Sequence, residues 1–230
     1  FFFFYKDILR TSYFGNSWEK VYQLNYLYLY DLFVVNSDVI YVCGGSGPDN
    51  IILKTTNGGN EWINQNPNVN QSCKAIAFIN SQTGFCSSEY NGNQRLLKTT
   101  NGGINWSSQA VNFSAWGSGN IFMIDSSITY LNSWSQTFKT TNGGTNWFNI
   151  THPGSAIHNI YFLEANTGFA VGYNFCIFKT TNAGSSWILK SSSEGAYLNS
   201  IHFKSNSLGY AVGDYGKILK TSNAGENWIE

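Results

Sequence analysis

Charge is what this sequence has least of. Only 11% of its 230 residues are Asp, Glu, Lys or Arg, against about 25% in an ordinary soluble domain. The 13 basic and 13 acidic side chains cancel, and Arg10 and Arg95 are the only arginines. Neutralising phosphate takes clustered cations, so a nucleic-acid partner is excluded. Long apolar runs are missing as well. The most apolar stretch, Val21 to Val42, is interrupted by Gln23, Asn25, Asp31, Asn36 and Asp38, which argues against a membrane span in this segment. The four cysteines, Cys43, Cys73, Cys86 and Cys176, are too few and too scattered for a disulfide framework. No CxxC or His/Cys cluster offers zinc ligands. Each cysteine lies within an apolar run and reads as a small buried hydrophobe. The three histidines, His152, His158 and His202, show no catalytic-triad or metal-ligand spacing, and no phosphate-cradling glycine loop occurs. No cofactor is expected.

Aromatic residues, at 17%, and the 23 glycines are what the sequence has in plenty, and an internal repeat organises both. Lys54-Thr55-Thr56-Asn57-Gly58-Gly59 leads to Trp62, and the same phrase runs from Lys98 to Trp106 and from Lys139 to Trp147. With Ala for the first Gly it returns from Lys179 to Trp187 and, as Lys220-Thr221-Ser222-Asn223-Ala224-Gly225, to Trp228. A worn copy, Arg10-Thr11-Ser12-Tyr13-Phe14-Gly15, leads to Trp18. The six tryptophans are spaced by 40 to 44 residues. Between motifs, apolar runs of four to six β-branched and aromatic residues are punctuated by Gly, Asn or Ser, as in Ile201-His202-Phe203, Gly209-Tyr210-Ala211-Val212-Gly213 and Lys217-Ile218-Leu219. That grammar gives four short strands per period and leaves no room for helices. Four strands per period of this length is the unit of a β-propeller, an all-β fold of four-stranded antiparallel blades. A tight hairpin whose Thr and Asn side chains accept backbone N–H bonds, with Gly at a positive φ, accounts for the motif. The Trp after it is placed to bury its indole between neighbouring sheets.

At Thr55, Asn57, Gly59 and Trp62, and at their counterparts, the chain resembles the Asp-box (BNR-repeat) propellers, with Asn in place of the acid. The longer phrase, Gly-Phe/Tyr-Ala-Val-Gly followed by apolar-x-Lys-Thr-Thr-Asn-Gly-Gly-x-x-Trp, is similar to the photosystem II stability/assembly factor-like propellers. The resemblance covers essentially all 230 residues and implies one β-propeller domain over 1–230. Its six repeats end at Trp18, Trp62, Trp106, Trp147, Trp187 and Trp228, within a ring of six or seven blades. Counting back from the first and last Trp sets Phe1 against Ala211 and Ile8 against Ile218. The chain is therefore expected to open inside the second strand of a blade and stop two residues into a fourth strand, as a piece of a longer ring.

The resemblance also raises chemistry. Asp-box sialidases grip a substrate carboxylate with three arginines, which this sequence cannot supply, and the arginine-rich patch associated with the assembly factors has no counterpart here. Asp-box glycosidases need two carboxylic acids flanking a sugar bond. Glu61 and Glu226 fall in motif turns and Asp38 and Asp125 in first-to-second-strand turns. That leaves Asp49, Glu89 and Asp214 in second-to-third-strand connections and Glu194 between blades. No catalytic residue is assigned, and an enzyme is not expected. Propeller geometry places these two loop sets on one face, opposite the motif turns. The candidate binding face there comprises Asp49, Glu89, Tyr90, Trp134, His152, Tyr173, Tyr197, Asp214 and Tyr215, since aromatics on a concave face bind protein segments or stack on sugars. The reading is a non-catalytic protein-interaction or assembly module, with a carbohydrate-binding or glycoside-hydrolase module as the alternative. Few charges, abundant Asn, Ser and Thr, and sequons at Asn70, Asn105, Asn112 and Asn149 suit an extracellular, periplasmic or cell-surface protein.

Overall fold

Each predicted run of alternating apolar residues is a strand, and the computed structural model consists of six antiparallel meanders. It describes residues 1–12, 15–65, 67–109, 111, 118–133, 136–150 and 156–230. Two compact units divide the chain. Unit 1, Phe1–Phe113, holds blades one to three. Blade one comprises β1 (Phe2–Phe4), β2 (Asp7–Arg10) and β3 (Glu19–Gln23). Blade two comprises β4 (Tyr28–Val34), β5 (Ile40–Ser46), β6 (Asp49–Thr55) and β7 (Ile63–Asn64). Blade three comprises β8 (Ser72–Phe78), β9 (Gly84–Tyr90), β10 (Asn93–Thr99) and β11 (Ser107–Gln109). Unit 2, Ser114–Glu230, holds blades four to six. Blade four is β12 (Ser118–Met123), β13 (Thr129–Ser133), β14 (Thr137–Thr140) and β15 (Phe148–Ile150). Blade five is β16 (Ile157–Phe162), β17 (Gly168–Gly172), β18 (Ile177–Thr180) and β19 (Ile188–Ser191). Blade six is β20 (Leu198–Phe203), β21 (Gly209–Gly213) and β22 (Ile218–Thr221), with a Lys220–Ile229 bridge opening a fourth strand. One short 3-10 turn, Asp214–Gly216, is the only helical element among the described residues.

The motif turn closes as the side chains predict, but with two left-handed residues instead of one. Thr55 Oγ1 accepts from Gly59 N at 2.9 Å and donates to Asn57 Oδ1 at 3.0 Å, and that same Oδ1 accepts from Glu61 N at 2.9 Å. The set recurs around Thr99, Thr140, Thr180 and Thr221. Only an acceptor oxygen is needed at the third position, so Asn serves as well as Asp. The pairs Gly58–Gly59, Ala183–Gly184 and Ala224–Gly225 all take positive φ, so Ala183 and Ala224 carry strain that Gly would not.

The two glycines of Gly-Phe/Tyr-Ala-Val-Gly have separate causes, both close approaches. A Cβ on Gly168 or Gly209 would lie within 2.7 Å of the Phe162 or Phe203 ring. A Cβ on Gly44, Gly172 or Gly213 would strike the carbonyl of Tyr28, Ala156 or Tyr197. Those carbonyls come close because the first strand of each of blades two to six bulges. Ile157 pairs with Gly172 and Asn159 with Val171, leaving His158 extra; Leu198 pairs with Gly213 and Ser200 with Val212, leaving Asn199 extra. Tyr30 and Lys74 are the extra residues of β4 and β8. Such bulges re-aim one side chain at the end of a strand.

Within a unit, consecutive blades pack face to face through recurring aromatic stacks. Tyr41 of blade two lies on Phe78 of blade three at 3.7 Å and 10°, and Trp106 meets Phe78 edge-on. Tyr130, Phe162 and Trp187 repeat the arrangement between blades four and five, and Phe169, Phe203 and Trp228 between five and six. Such pairs add about 0.5–1.5 kcal/mol each beyond the area they bury. The motif lysine supplies a second joint. Lys54 Nζ, beside the Tyr41 ring, donates to Gly102 O at 2.8 Å, and Tyr41 Oη donates to the same carbonyl at 3.0 Å. Lys139 and Tyr130 meet on Ala183 O, Lys179 reaches Ala224 O, and Arg10 of the worn copy reaches Gly58 O. Within each unit a blade thus grips the motif turn of its successor.

Blade one differs from the count made back from Trp18. Phe2 pairs with Leu9, as Ala211 pairs with Leu219, so Phe2 rather than Phe1 occupies the Ala211 position. The hairpin through Tyr5 and Lys6 is one residue shorter than its counterpart after Gly213. The cysteines are free and buried as expected. Cys43 of blade two meets Cys73 and Cys86 of blade three in one apolar cluster, where burial pushes the Cys43 thiol up to about 11.

Candidate functional site

Backbone bonds sort the loops onto two faces. The motif turn is stitched to the first-to-second-strand turn of its own blade, as Gly58 N to Asp38 O and Ala224 N to Ser207 O. At the other end of the strands, second-to-third-strand hairpins meet the connection entering the next blade. Phe175 N donates to Ala196 O, Ser193 N to Asn174 O, and Ser72 Oγ to Gly47 O. These bonds hold each such hairpin against the connection that follows it at that end of the strands.

In unit 2 the bulges aim His158 and Asn199 at this end. Asn199 Nδ2 donates to Asp214 Oδ1 at 2.7 Å, which leaves Asn199 Oδ1 to accept from His158 Nδ1 at 3.1 Å. That sequence of bonds fixes the hydrogen on Nδ1 of the imidazole. Asp214 Oδ2 accepts from Tyr197 N, and Asp214 N donates to Tyr197 O. The His158 ring lies flat on Tyr197 at 4.4 Å and 6°, and Tyr197 leans on Tyr173 at 5.1 Å and 50°. Tyr173 and Tyr197 also form an isolated antiparallel bridge. A continuous strip of three rings results, its end fastened by a carboxylate. Beside it Tyr215, 94% exposed, stands at a hairpin tip with φ 57°. A loop residue held bare in a left-handed conformation is a feature of recognition surfaces more than of cores.

Of the predicted residues in unit 2, the structure joins Tyr173, Tyr197 and Asp214, with Tyr215 in the same hairpin. Trp134 and His152 lie outside the described residues. In unit 1, Asp49 opens β6 with an exposed side chain, and Glu89 lies in β9 opposite Ser72 and Gln94. Tyr90 packs beside Gly47 in the neighbouring hairpin. His158 and His202 do not form a pair: His202 is exposed and meets Tyr161 edge-on. The roles of His158 and Asn199 were not evident from spacing, although they stand 41 residues apart (|i−j|), one repeat. Among the described residues no His, Cys, Asp or Glu cluster has the geometry to hold a metal ion, and no helix is long and apolar enough to cross a membrane.

The family described as Photosynthesis system II assembly factor YCF48 matches residues 145–230, which span the last two repeats in full. The repeat is of the Asp-box (BNR) type, related to the photosystem II assembly factors. Solved structures similar to this Asp-box propeller include "YCF48 bound to D1 peptide", at 17% identity and TM-score 0.66 over 88% of this chain and 67% of that one. YCF48 from Cyanidioschyzon merolae aligns at 14% identity and TM-score 0.54, covering 88% and 84%. The GH74 enzyme of Niastella koreensis aligns at 17% and 0.64, covering 87% of this chain and 38% of that one. At these identities the structures share the fold. No curated protein matches the chain.

Proposed function

We propose that this propeller is a non-catalytic interaction module of an exported or cell-surface protein, holding a polypeptide segment on the Tyr173–Tyr197–His158 strip of blades five and six. The observation that carries the reading is the strip itself: the His158 and Tyr197 rings stacked, Tyr173 tilted against them, the set held by the Asp214–Asn199–His158 bonds beside the bare Tyr215. Rigid aromatics offer large contact area at little entropic cost. A similar propeller, YCF48, is seen bound to a D1 peptide, which supports a protein partner. Both Asp214 oxygens accept hydrogen bonds that fasten the loop, which suits a positioning role better than general acid chemistry. The few charges and the sequon-bearing, Asn-rich surface support an extracytoplasmic setting.

The test is affinity selection from a displayed peptide library, followed by titration of the selected peptide into the Tyr173→Ala/Tyr215→Ala double variant. Affinity should fall by at least about tenfold, or about 1.4 kcal/mol. Unchanged affinity refutes the site. The likeness to GH74 enzymes carries the rival reading, glycoside hydrolysis, and release of reducing ends from a panel of β-glucans would establish it instead.

A further inference from the structure

We infer that Asn91, in the hairpin joining β9 to β10, is a site of spontaneous deamidation and isoaspartate formation, and that the fold shields the motif asparagines from the same reaction. The chain holds four Asn-Gly pairs, beginning at Asn57, Asn91, Asn101 and Asn142. Asn is a thermolabile residue, most so before Gly, where no side chain hinders the following nitrogen. In the reaction that nitrogen attacks the Asn Cγ. The N–Cγ bond forms, the Cγ–Nδ2 bond breaks, and the side-chain amide leaves as ammonia, taking up the proton that the glycine nitrogen loses. Water then opens the cyclic imide at either carbonyl. One opening yields Asp; the other yields an isoaspartyl residue, whose backbone runs through Cβ and Cγ.

The chemistry sets two conditions: a carboxamide able to swing onto the next residue, and a backbone nitrogen there with its N–H unengaged. The motif turns block both. Asn57 Oδ1 accepts from Thr55 Oγ1 and from Glu61 N, and Gly58 N donates to Asp38 O at 3.0 Å. Asn101 and Asn142 are pinned by the same bonds, with Gly102 N donating to Gln82 O at 2.8 Å and Gly143 N to Ser127 O at 2.9 Å. Exposure does not separate the sites, since Asn57 and Asn142 are exposed as well. The bonds do. Asn91 takes φ 50° and Gly92 φ 77°, the left-handed pair of a two-residue hairpin between the paired Tyr90 and Asn93. Both residues are exposed, and among the described residues neither the Asn91 side chain nor the Gly92 N–H has a hydrogen-bond partner. Ring closure there asks only for rotation at the tip, with β9 and β10 left paired. Conversion puts a new carboxylate directly after Glu89 and Tyr90, and the isoaspartyl form adds a backbone carbon to the turn. That form is the kind of substrate taken by methyltransferases that esterify isoaspartyl carboxylates.

The experiment incubates the 230-residue chain at mildly alkaline pH, folded and in urea, until the urea sample has converted at all four Asn-Gly pairs. Peptide mapping by mass spectrometry reads conversion at each Asn, and enzymatic methylation with labelled S-adenosylmethionine counts the isoaspartate. In the folded chain Asn91 should convert at least about tenfold faster than Asn57, Asn101 or Asn142, because those must first open their turns. In urea the rates should come together. Asn91→Gly keeps a residue at ease in the left-handed turn and should remove most of the methylation from the folded chain. Equal conversion of Asn91 and any motif asparagine in the folded chain overturns the inference. So does an Asn91 that keeps its amide when folded while converting in urea, or methylation undiminished in the folded Asn91→Gly variant.

Discussion

Replacing Asp31 by Asn should stabilise the protein at neutral pH and flatten its pH dependence. Asp31 keeps some solvent exposure as a residue, but its carboxyl is pressed against β8. Oδ2 accepts from Ile76 N at 2.9 Å in the next blade and Oδ1 from Leu32 N at 2.8 Å. Desolvation outweighs those bonds and raises its pKa from 3.8 to about 6. An acid raised on folding binds more protons in the folded chain between those two values. Stability therefore falls as pH climbs from about 4 through about 6 and stays lowered above. A shift of this size is worth about 3 kcal/mol at most, and about 2 kcal/mol is expected given the partial exposure. Asn keeps an acceptor oxygen for Ile76 N without the charge. Asn120 plays that part in blade four, accepting from Ile160 N. Urea unfolding of parent and Asp31→Asn at pH 4 and pH 7.5 measures the effect. The variant should match the parent at the lower pH and exceed it by about 1–2 kcal/mol at the higher. A variant less stable than the parent at pH 7.5, or two parallel pH profiles, refutes the assignment.

Three further outcomes follow from the blade joints and turns. Tyr41→Phe should cost about 1 kcal/mol and Lys54→Met about 2 kcal/mol. The pair together should cost about 1–3 kcal/mol more than their sum, because Gly102 O then keeps neither donor; additivity in a double-mutant cycle would show that the donors do not share that acceptor. Ala224→Gly should raise the urea midpoint by the equivalent of about 0.5–1 kcal/mol, since Ala224 sits at φ 58°, and a lowered midpoint would count against strain at that turn. Asn101→Asp should change stability by less than about 0.5 kcal/mol near pH 7, because Asn101 Oδ1 makes the turn's side-chain bonds, whereas a loss above about 2 kcal/mol would mean the amide hydrogens matter.

What could be read from the residues was whatever the repeat encodes locally. The turn bonds of Thr55 and Asn57 span only a few positions, so the spacing of Thr, Asn, Gly and Trp displays them directly. Strand number and order follow from the same punctuation. The joints between blades were hidden because their partners lie a whole period apart. Nothing near Lys54 shows that its amine ends on Gly102, yet the Arg that stands for Lys in the worn copy kept the cationic donor and was a usable clue. The bulges were hidden for another reason: His158 and Asn199 break strict alternation by one residue, which reads as noise in a short strand. The one-residue error at Phe1 has a similar source, a hairpin shortened where no motif residue marks its length. The candidate face was half legible. Position along the period assigned Tyr173, Tyr197 and Asp214 to one end of the strands, while the contact between the two rings required the fold.

The lysine joint gives the repeat a direction. The copies of Lys54, Lys139 and Lys179 each carry a plug, the Lys amine, which enters a socket in the following copy, the turn carbonyl one residue past that copy's Asn. A segment duplicated as a unit arrives with both halves of the connector, so it can be inserted between any two existing copies without altering either neighbour. Propellers of this kind are thus free to gain or lose blades by unequal copying, and the Lys and the small residue opening each turn should drift least while the exposed hairpins diversify.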